Sequence, residues 1–245
     1  MNQTPTRHPL IANPPAPRAA IFDFDLTLAD STRAVSACID YGLVELGFDP
    51  VGPDRARRTI GLGLEQTFQD LTGVSDSAIT AKFRALFMEH ADLVMVSQTH
   101  LLSGVPRALD TLRNARIQLG IVSTKYRFRI HAILEKFELG NWFDVIVGGE
   151  DVQAHKPDPE GLIKALRTLE VGPDEAVYVG DHIVDAEAAK LASVPFVAVL
   201  SGETRRGEFN EFPNVGILGS AAQLPGFIAS FGTWPPTGRS TPPPS

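Results

Sequence analysis

Residues 19–27 read Ala-Ala-Ile-Phe-Asp-Phe-Asp-Leu-Thr, an apolar run that stops on two aspartates spaced two apart. The run is continuous rather than alternating. That is the pattern of a strand buried on both faces, as in a parallel sheet. Including Ala19–Phe24, five such runs occur; the others are Leu119–Ser123, Val145–Gly148, Ala176–Val179 and Pro195–Leu200. Segments with helical spacing lie between them. Val105–Ala115 carries Val105, Leu109 and Leu112, and Arg129–Phe137 carries Ile130, Ile133, Leu134 and Phe137. Glu160–Leu169 carries Leu162, Ile163, Leu166 and Leu169, and Asp185–Leu191 is Ala-rich. Strands alternating with helices at this pitch predict an α/β fold with a doubly wound parallel sheet.

About ninety residues separate the first two runs, far more than one crossover needs. Within them Val35, Ile39, Leu43 and Leu46 form one helical stripe, and Phe83, Leu86, Phe87 and Met88 part of another. An inserted helical subdomain over 30–102 is the economical reading, with the α/β core at 18–29 and 103–232. Of 19 prolines, five lie in residues 1–17 and five in 234–245. Such density fits neither regular helices nor central strands, so 1–17 and 233–245 are expected to be disordered Pro-rich tails.

The remaining composition excludes several classes. The chain has 245 residues, a formal net charge of −7 and 43% hydrophobic residues, ordinary for a folded protein. An acidic balance argues against general nucleic-acid binding. No apolar run approaches the roughly 20 residues of a membrane span. The single cysteine, Cys38, rules out an intrachain disulfide and fits a cytoplasmic setting. The first residues lack the apolar core of a signal peptide. Nothing here speaks to oligomeric state.

The chemistry gathers at strand ends, where ligands bind in open parallel sheets. Residues two apart on an extended chain point the same way, so Asp23 and Asp25 can face one site. Two carboxylates there suit a nucleophile beside a general acid/base, or a hard cation; a strand-end turn accounts for the triplet equally well. The fourth run ends in Gly180-Asp181-His182-Ile183-Val184-Asp185, a second acidic pair. Helix capping explains one of these aspartates, but not four acids at the ends of two strands. The second run ends in Ser123-Thr124-Lys125, whose hydroxyls can hold phosphate oxygens or form a simple turn. Lys156 sits in His155-Lys156-Pro157-Asp158-Pro159, a loop stiffened by two prolines and suited to offset anionic charge.

Taken in order, Asp-x-Asp-x-Thr, Ser/Thr, Lys and Gly-Asp-x-x-x-Asp resemble the motifs of the haloacid dehalogenase superfamily. The resemblance covers Ala19 to Val199, and the helical insertion resembles that superfamily's C1-type cap. It implies a phosphoryl-transfer site. Asp23 would be the nucleophile that becomes an aspartyl phosphate, Asp25 the general acid and base, and Lys156 a catalytic cation. Ser123, Thr124 and Lys156 would bind phosphate, and Thr27 would steady the loop. Mg²⁺ would be held by Asp23, the Asp25 backbone carbonyl and Asp181, with Asp185 a ligand through water or a support. Asp25 favours phosphate over halide chemistry, because an alkyl halide needs no leaving-group proton.

In the insertion, Ile60-Gly61-Leu62-Gly63-Leu64-Glu65-Gln66 resembles the substrate-facing segment of phosphoglycolate phosphatase-like enzymes. A plain inter-helix turn explains the same glycines. Gly61, Leu64 and Glu65, with His182 at the rim, are therefore candidate substrate contacts. Arg55, Arg57 and Arg58 form a basic cluster that is either a solvated face or a contact for a second anionic group. The expected function is Mg²⁺-dependent hydrolysis of a small phosphorylated metabolite. A phosphomutase of β-phosphoglucomutase type and a non-catalytic binding protein on the same fold are the alternatives.

Overall fold

The computed structural model describes residues 16–235. In chain order the elements are β1 (Ala19–Phe22), β2 (Ala29–Asp30), α1 (Thr32–Glu45), α2 (Gly52–Arg57), α3 (Leu64–Thr72), α4 (Ser77–Gln98) and β3 (His100–Leu101). There follow α5 (Val105–Asn114), β4 (Gln118–Val122), α6 (Arg127–Lys136), β5 (Val145–Val147), α7 (Glu160–Leu169) and β6 (Ala176–Gly180). The chain then forms α8 (Ile183–Ala192), β7 (Phe196–Val199), α9 (Arg206–Phe209), β8 (Gly216–Leu218) and α10 (Leu224–Ala229).

The main sheet has six strands in the order β5-β4-β1-β6-β7-β8, every pair parallel. β1 lies inside it, and both its faces are covered. Ala20 and Phe22 pack with Leu109, Ile133 and Leu224 from α5, α6 and α10. Ala19 and Ile21 face Leu162, Leu166 and Ala189 from α7 and α8. The doubly wound α/β fold read from the apolar runs is therefore present. The sequence reading missed β8. Its three residues, Gly-Ile-Leu, are only half-buried at the sheet edge and leave no apolar run to detect.

The helices α1 to α4 form an inserted helical cap after β1. Its interior, built from Cys38, Ile39, Phe68, Phe83 and Phe87, is continuous with one face of the core. α1 and α4 approach closely at Gly42, where a Cβ would stand 2.9 Å from the Phe83 ring. The Asp76 side chain caps α4 by accepting from the amides of Ala78 and Ile79 at 2.8 and 2.9 Å. The two connections to the core pair as a short antiparallel ribbon, with Ala29 opposite Leu101 and Asp30 opposite His100.

At the other end the packed unit reaches Trp234, which is fully buried edge-on to Phe231. That corrects the start of the expected C-terminal tail: an indole with this much apolar surface is more stable packed than solvated. Residues 1–15 and 236–245 of the two tails lie outside the described residues. Among those described, no helix is long and apolar enough to cross a membrane.

Candidate active site

Strand register assembles the site. Phe22 is opposite Ile121 of β4 and Val179 of β6, so the next residues on these strands emerge at one sheet edge. The Asp23 amide donates to the Val179 carbonyl at 2.9 Å, and the Ser123 amide to Val147 at 3.0 Å. Asp23, Ser123 and Asp181 follow directly from this alignment, and all three are buried.

Lys156 enters from the loop after β5. Its Nζ lies 2.9 Å from Asp23 Oδ1 and 2.6 Å from Asp185 Oδ1, with all three side chains almost wholly enclosed. Asp23, Asp181 and Asp185 each bring a carboxylate oxygen within 4.8 Å of the others. Burial pushes the Asp23 carboxyl up to about 6; Asp185 and Asp25 add to the rise and Lys156 opposes it. Asp181 rises well above the ordinary carboxylate range, again through burial first and then the charges of Asp185 and Asp23. For Lys156 burial acts against the ammonium, but Asp185 and Asp23 overcome it and hold the pKa above its usual value. Three buried carboxylates against one ammonium form an oxygen-only donor set with uncompensated negative charge. That set fits a hard divalent cation.

Two glycines make room for these acids. A Cβ on Gly202 would stand 1.9 Å from Asp181 Oδ2, and one on Gly180 would stand 2.5 Å from Asp185 Oδ2. Gly180 lies within the motif read from the sequence, whereas Gly202 lies on the loop after β7, whose direction the sequence did not disclose. Thr27 donates to Asp181 Oδ1 at 2.8 Å, so it fastens the acid of a different strand. Asp185 is saturated by protein donors. Its Oδ1 accepts from Lys156 and, at 2.9 Å, from the Tyr178 hydroxyl; its Oδ2 accepts from the His182 amide at 3.0 Å.

Asp25 points elsewhere, into a cavity of about 660 Å³ between cap and core. Its Oδ1 accepts from Ser31 Oγ at 2.5 Å, and its Oδ2 lies 3.1 Å from Lys125 Nζ. Neither partner is given a site role by the sequence. Lys125 reads there only as part of a turn. The cavity is lined by Gly61, Leu64 and Glu65 from the cap and by Thr124 from the core. Gly61 has φ +98, and Thr124 Oγ1 donates to its carbonyl at 3.4 Å, so Thr124 is turned toward the cap. Ser123 Oγ accepts from the Lys125 amide at 3.3 Å.

His182 does not line that cavity. Its Nδ1 accepts from the Val184 amide at 3.3 Å, which makes it the N-cap of α8, and burial lowers its pKa. The arginine cluster also separates. Arg55 donates to the Leu71 carbonyl at 3.1 Å. Arg57 spans cap and core, reaching Glu203 Oε1 at 2.5 Å, the Ser201 carbonyl at 3.0 Å and Thr32 Oγ1 at 2.9 Å. Cys38 is buried in the cap, which pushes its thiol up to about 12 and leaves it inert.

Residues 20–199 match the haloacid dehalogenase-like hydrolase family. The chain belongs to that family. It is 31% identical over 221 residues to a phosphoglycolate phosphatase of Pseudomonas putida, covering 86% of this chain and 79% of that protein. A phosphoglycolate phosphatase of Rhodobacter capsulatus is 30% identical over 88% of this chain and 98% of its own length. Among solved structures, a Bacteroides fragilis protein described as haloacid dehalogenase-like superposes with a TM-score of 0.82 at 42% identity, covering 84% of this chain and 99% of that one.

Proposed function

We propose that this hydrolase is a Mg²⁺-dependent phosphatase of a small phosphorylated metabolite, of phosphoglycolate or sugar-phosphate type, acting in the cytoplasm. The observation that carries the reading is the grouping of Asp23, Asp181, Asp185 and Lys156 at one strand edge beside the Asp25-lined cavity. The phosphoglycolate phosphatase relatives support it. We take the catalytic core as 18–29 and 103–234, its end moved out to the buried Trp234, and the cap as 30–102.

In this reading Asp23 attacks phosphorus, and the P–O bond to the leaving alcohol breaks as the aspartyl phosphate forms. Asp25 gives a proton to the departing oxygen. It then takes one from the water that attacks the same phosphorus, which releases phosphate and restores the Asp23 carboxylate. Lys156 and Ser123 hold the phosphoryl oxygens, with Thr124 closing the loop toward the cap. Asp23, Asp181 and the Asp25 carbonyl would hold the cation, with Asp185 keeping Lys156 and the start of α8 in place. When bound, the cation supplies positive charge that offsets the dianionic phosphate as a carboxylate approaches it. Gly61, Leu64 and Glu65 face the leaving group, while His182 shapes the loop beneath Gly61.

The test is phosphate release from a panel of small phosphomonoesters with Mg²⁺, and its loss on adding EDTA. Isomerisation of a hexose 1-phosphate without free phosphate would replace the hydrolase reading with the mutase one. Bound Mg²⁺ with no turnover of any ester would leave a binding protein.

A further inference from the structure

Three cationic side chains line the cavity above Asp25: Arg84, Lys125 and Arg129. Two are already paired with carboxylates. Lys125 lies 3.1 Å from Asp25, and Arg129 lies 2.5 Å from Asp92. Among the described residues Arg84 has no carboxylate within 4.0 Å, although Glu65 lines the same cavity. Its guanidinium donates instead to the hydroxyl of Tyr126, a neutral acceptor. Arg84 belongs to α4 of the cap, and Tyr126 precedes α6 of the core. The bond therefore exists only while the cap is shut over the site. Both residues also line a second cavity of about 610 Å³ beside α4, so the pair stands where the two spaces meet.

We propose that Arg84 is the specificity residue that binds an anionic group on the leaving alcohol, and that Tyr126 positions its guanidinium when the cap closes. The inference rests on the phosphatase reading above. A carboxylate entering a cavity walled by Ile39, Phe87 and Met95 loses hydration and needs a cation in return. Recruiting Lys125 or Arg129 would break an existing ion pair. Recruiting Arg84 disturbs at most one bond to a phenol, and a guanidinium can hold a carboxylate through two parallel hydrogen bonds.

The experiment uses two series of phosphomonoesters with leaving groups of increasing chain length, one ending in carboxylate and the other in hydroxyl. kcat/KM is measured for the full chain and for Arg84→Ala, Arg84→Lys and Tyr126→Phe. The wild type is expected to prefer the carboxylate ester by about tenfold at the best-fitting length, as for a hydrogen bond to a charged group. Arg84→Ala should bring that ratio near one through KM, Arg84→Lys should keep part of it, and Tyr126→Phe should fall between. A wild type that hydrolyses hydroxyl esters with no carboxylate preference at any length overturns this inference and leaves the phosphatase reading intact. A preference that survives Arg84→Ala does the same. Failure to hydrolyse either series removes the phosphatase reading and takes this inference with it. Arg84 lies exposed on α4, so its replacement leaves the packed interior of the cap in place.

Discussion

Lys125 Nζ lies 3.1 Å from Asp25 Oδ2, and the two side chains are only 6% and 9% exposed. The proposed general acid thus has a buried cation of its own, separate from Lys156. Asp25→Asn removes the transferable proton. It is expected to lower kcat/KM, which reports aspartyl-phosphate formation and not its hydrolysis, by about 10²- to 10⁴-fold on alkyl phosphates. By the same measure p-nitrophenyl phosphate, whose leaving group needs no proton, should lose far less. Lys125→Ala should shift the same alkyl-to-aryl ratio in the same direction by a smaller factor. Equal losses on both substrate types would deny Asp25 its acid role.

Asp23→Asn should abolish phosphate release while making the metal-free protein more stable. A carboxyl held at about 6 rather than 3.8 carries a burial penalty at pH 7 that a neutral amide avoids. The gain is about 1–3 kcal/mol, a rise of several degrees in Tm. Thermal unfolding in EDTA checks this, and a lowered Tm would contradict it.

The same shift sets a pH dependence. Because the folded-state pKa of Asp23 is raised, its stabilising contribution is complete below about pH 4 and is lost as pH rises through about 6. Cation binding runs the other way, since ligands must be deprotonated. Mg²⁺ affinity measured by calorimetry should fall as pH drops through about 6, by about tenfold per unit for each proton taken up. Affinity that improves on acidification would refute the carboxylate site.

Gly202→Ala places a Cβ 1.9 Å from Asp181 Oδ2. The carboxylate must move, and Mg²⁺ affinity is expected to drop about 10- to 100-fold, the usual cost of disturbing a ligand's support. Gly207→Ala on the following helix meets nothing within 4 Å and serves as the control. Matching affinities for the two variants would detach Asp181 from the metal.

Arg57→Ala cuts the contacts from the cap to Glu203 and the Ser201 carbonyl. The pair is partly exposed, so the effect is modest, an increase in KM of up to about fivefold. Small-angle scattering should show a larger radius of gyration for the variant.

Much of this was legible in the sequence because apolar runs and strand-end acids are local patterns. Asp23, Lys156, Asp181 and Asp185 each end a run or sit in a stiffened loop, and the fold brings them to one edge. Lys125, Tyr178 and Gly202 were not legible. Their roles depend on which residue lies across a sheet or a cavity, and no spacing along the chain encodes that. Tyr178 looks like one more apolar strand residue until its hydroxyl is seen on Asp185. His182 reads from the sequence as a rim residue, and the structure adds that its Nδ1 accepts from the Val184 amide at the start of α8.

The ribbon of Ala29–Asp30 with His100–Leu101 has a consequence for how such a chain can change. Paired antiparallel residues sit about 5 Å apart, so some seventy residues leave and rejoin the core as though they were a tight turn. The length of that excursion therefore places no strain on β1. The four helices form a cassette that can be lengthened, trimmed or grafted whole, which lets the choice of ester drift while the phosphoryl chemistry stays fixed.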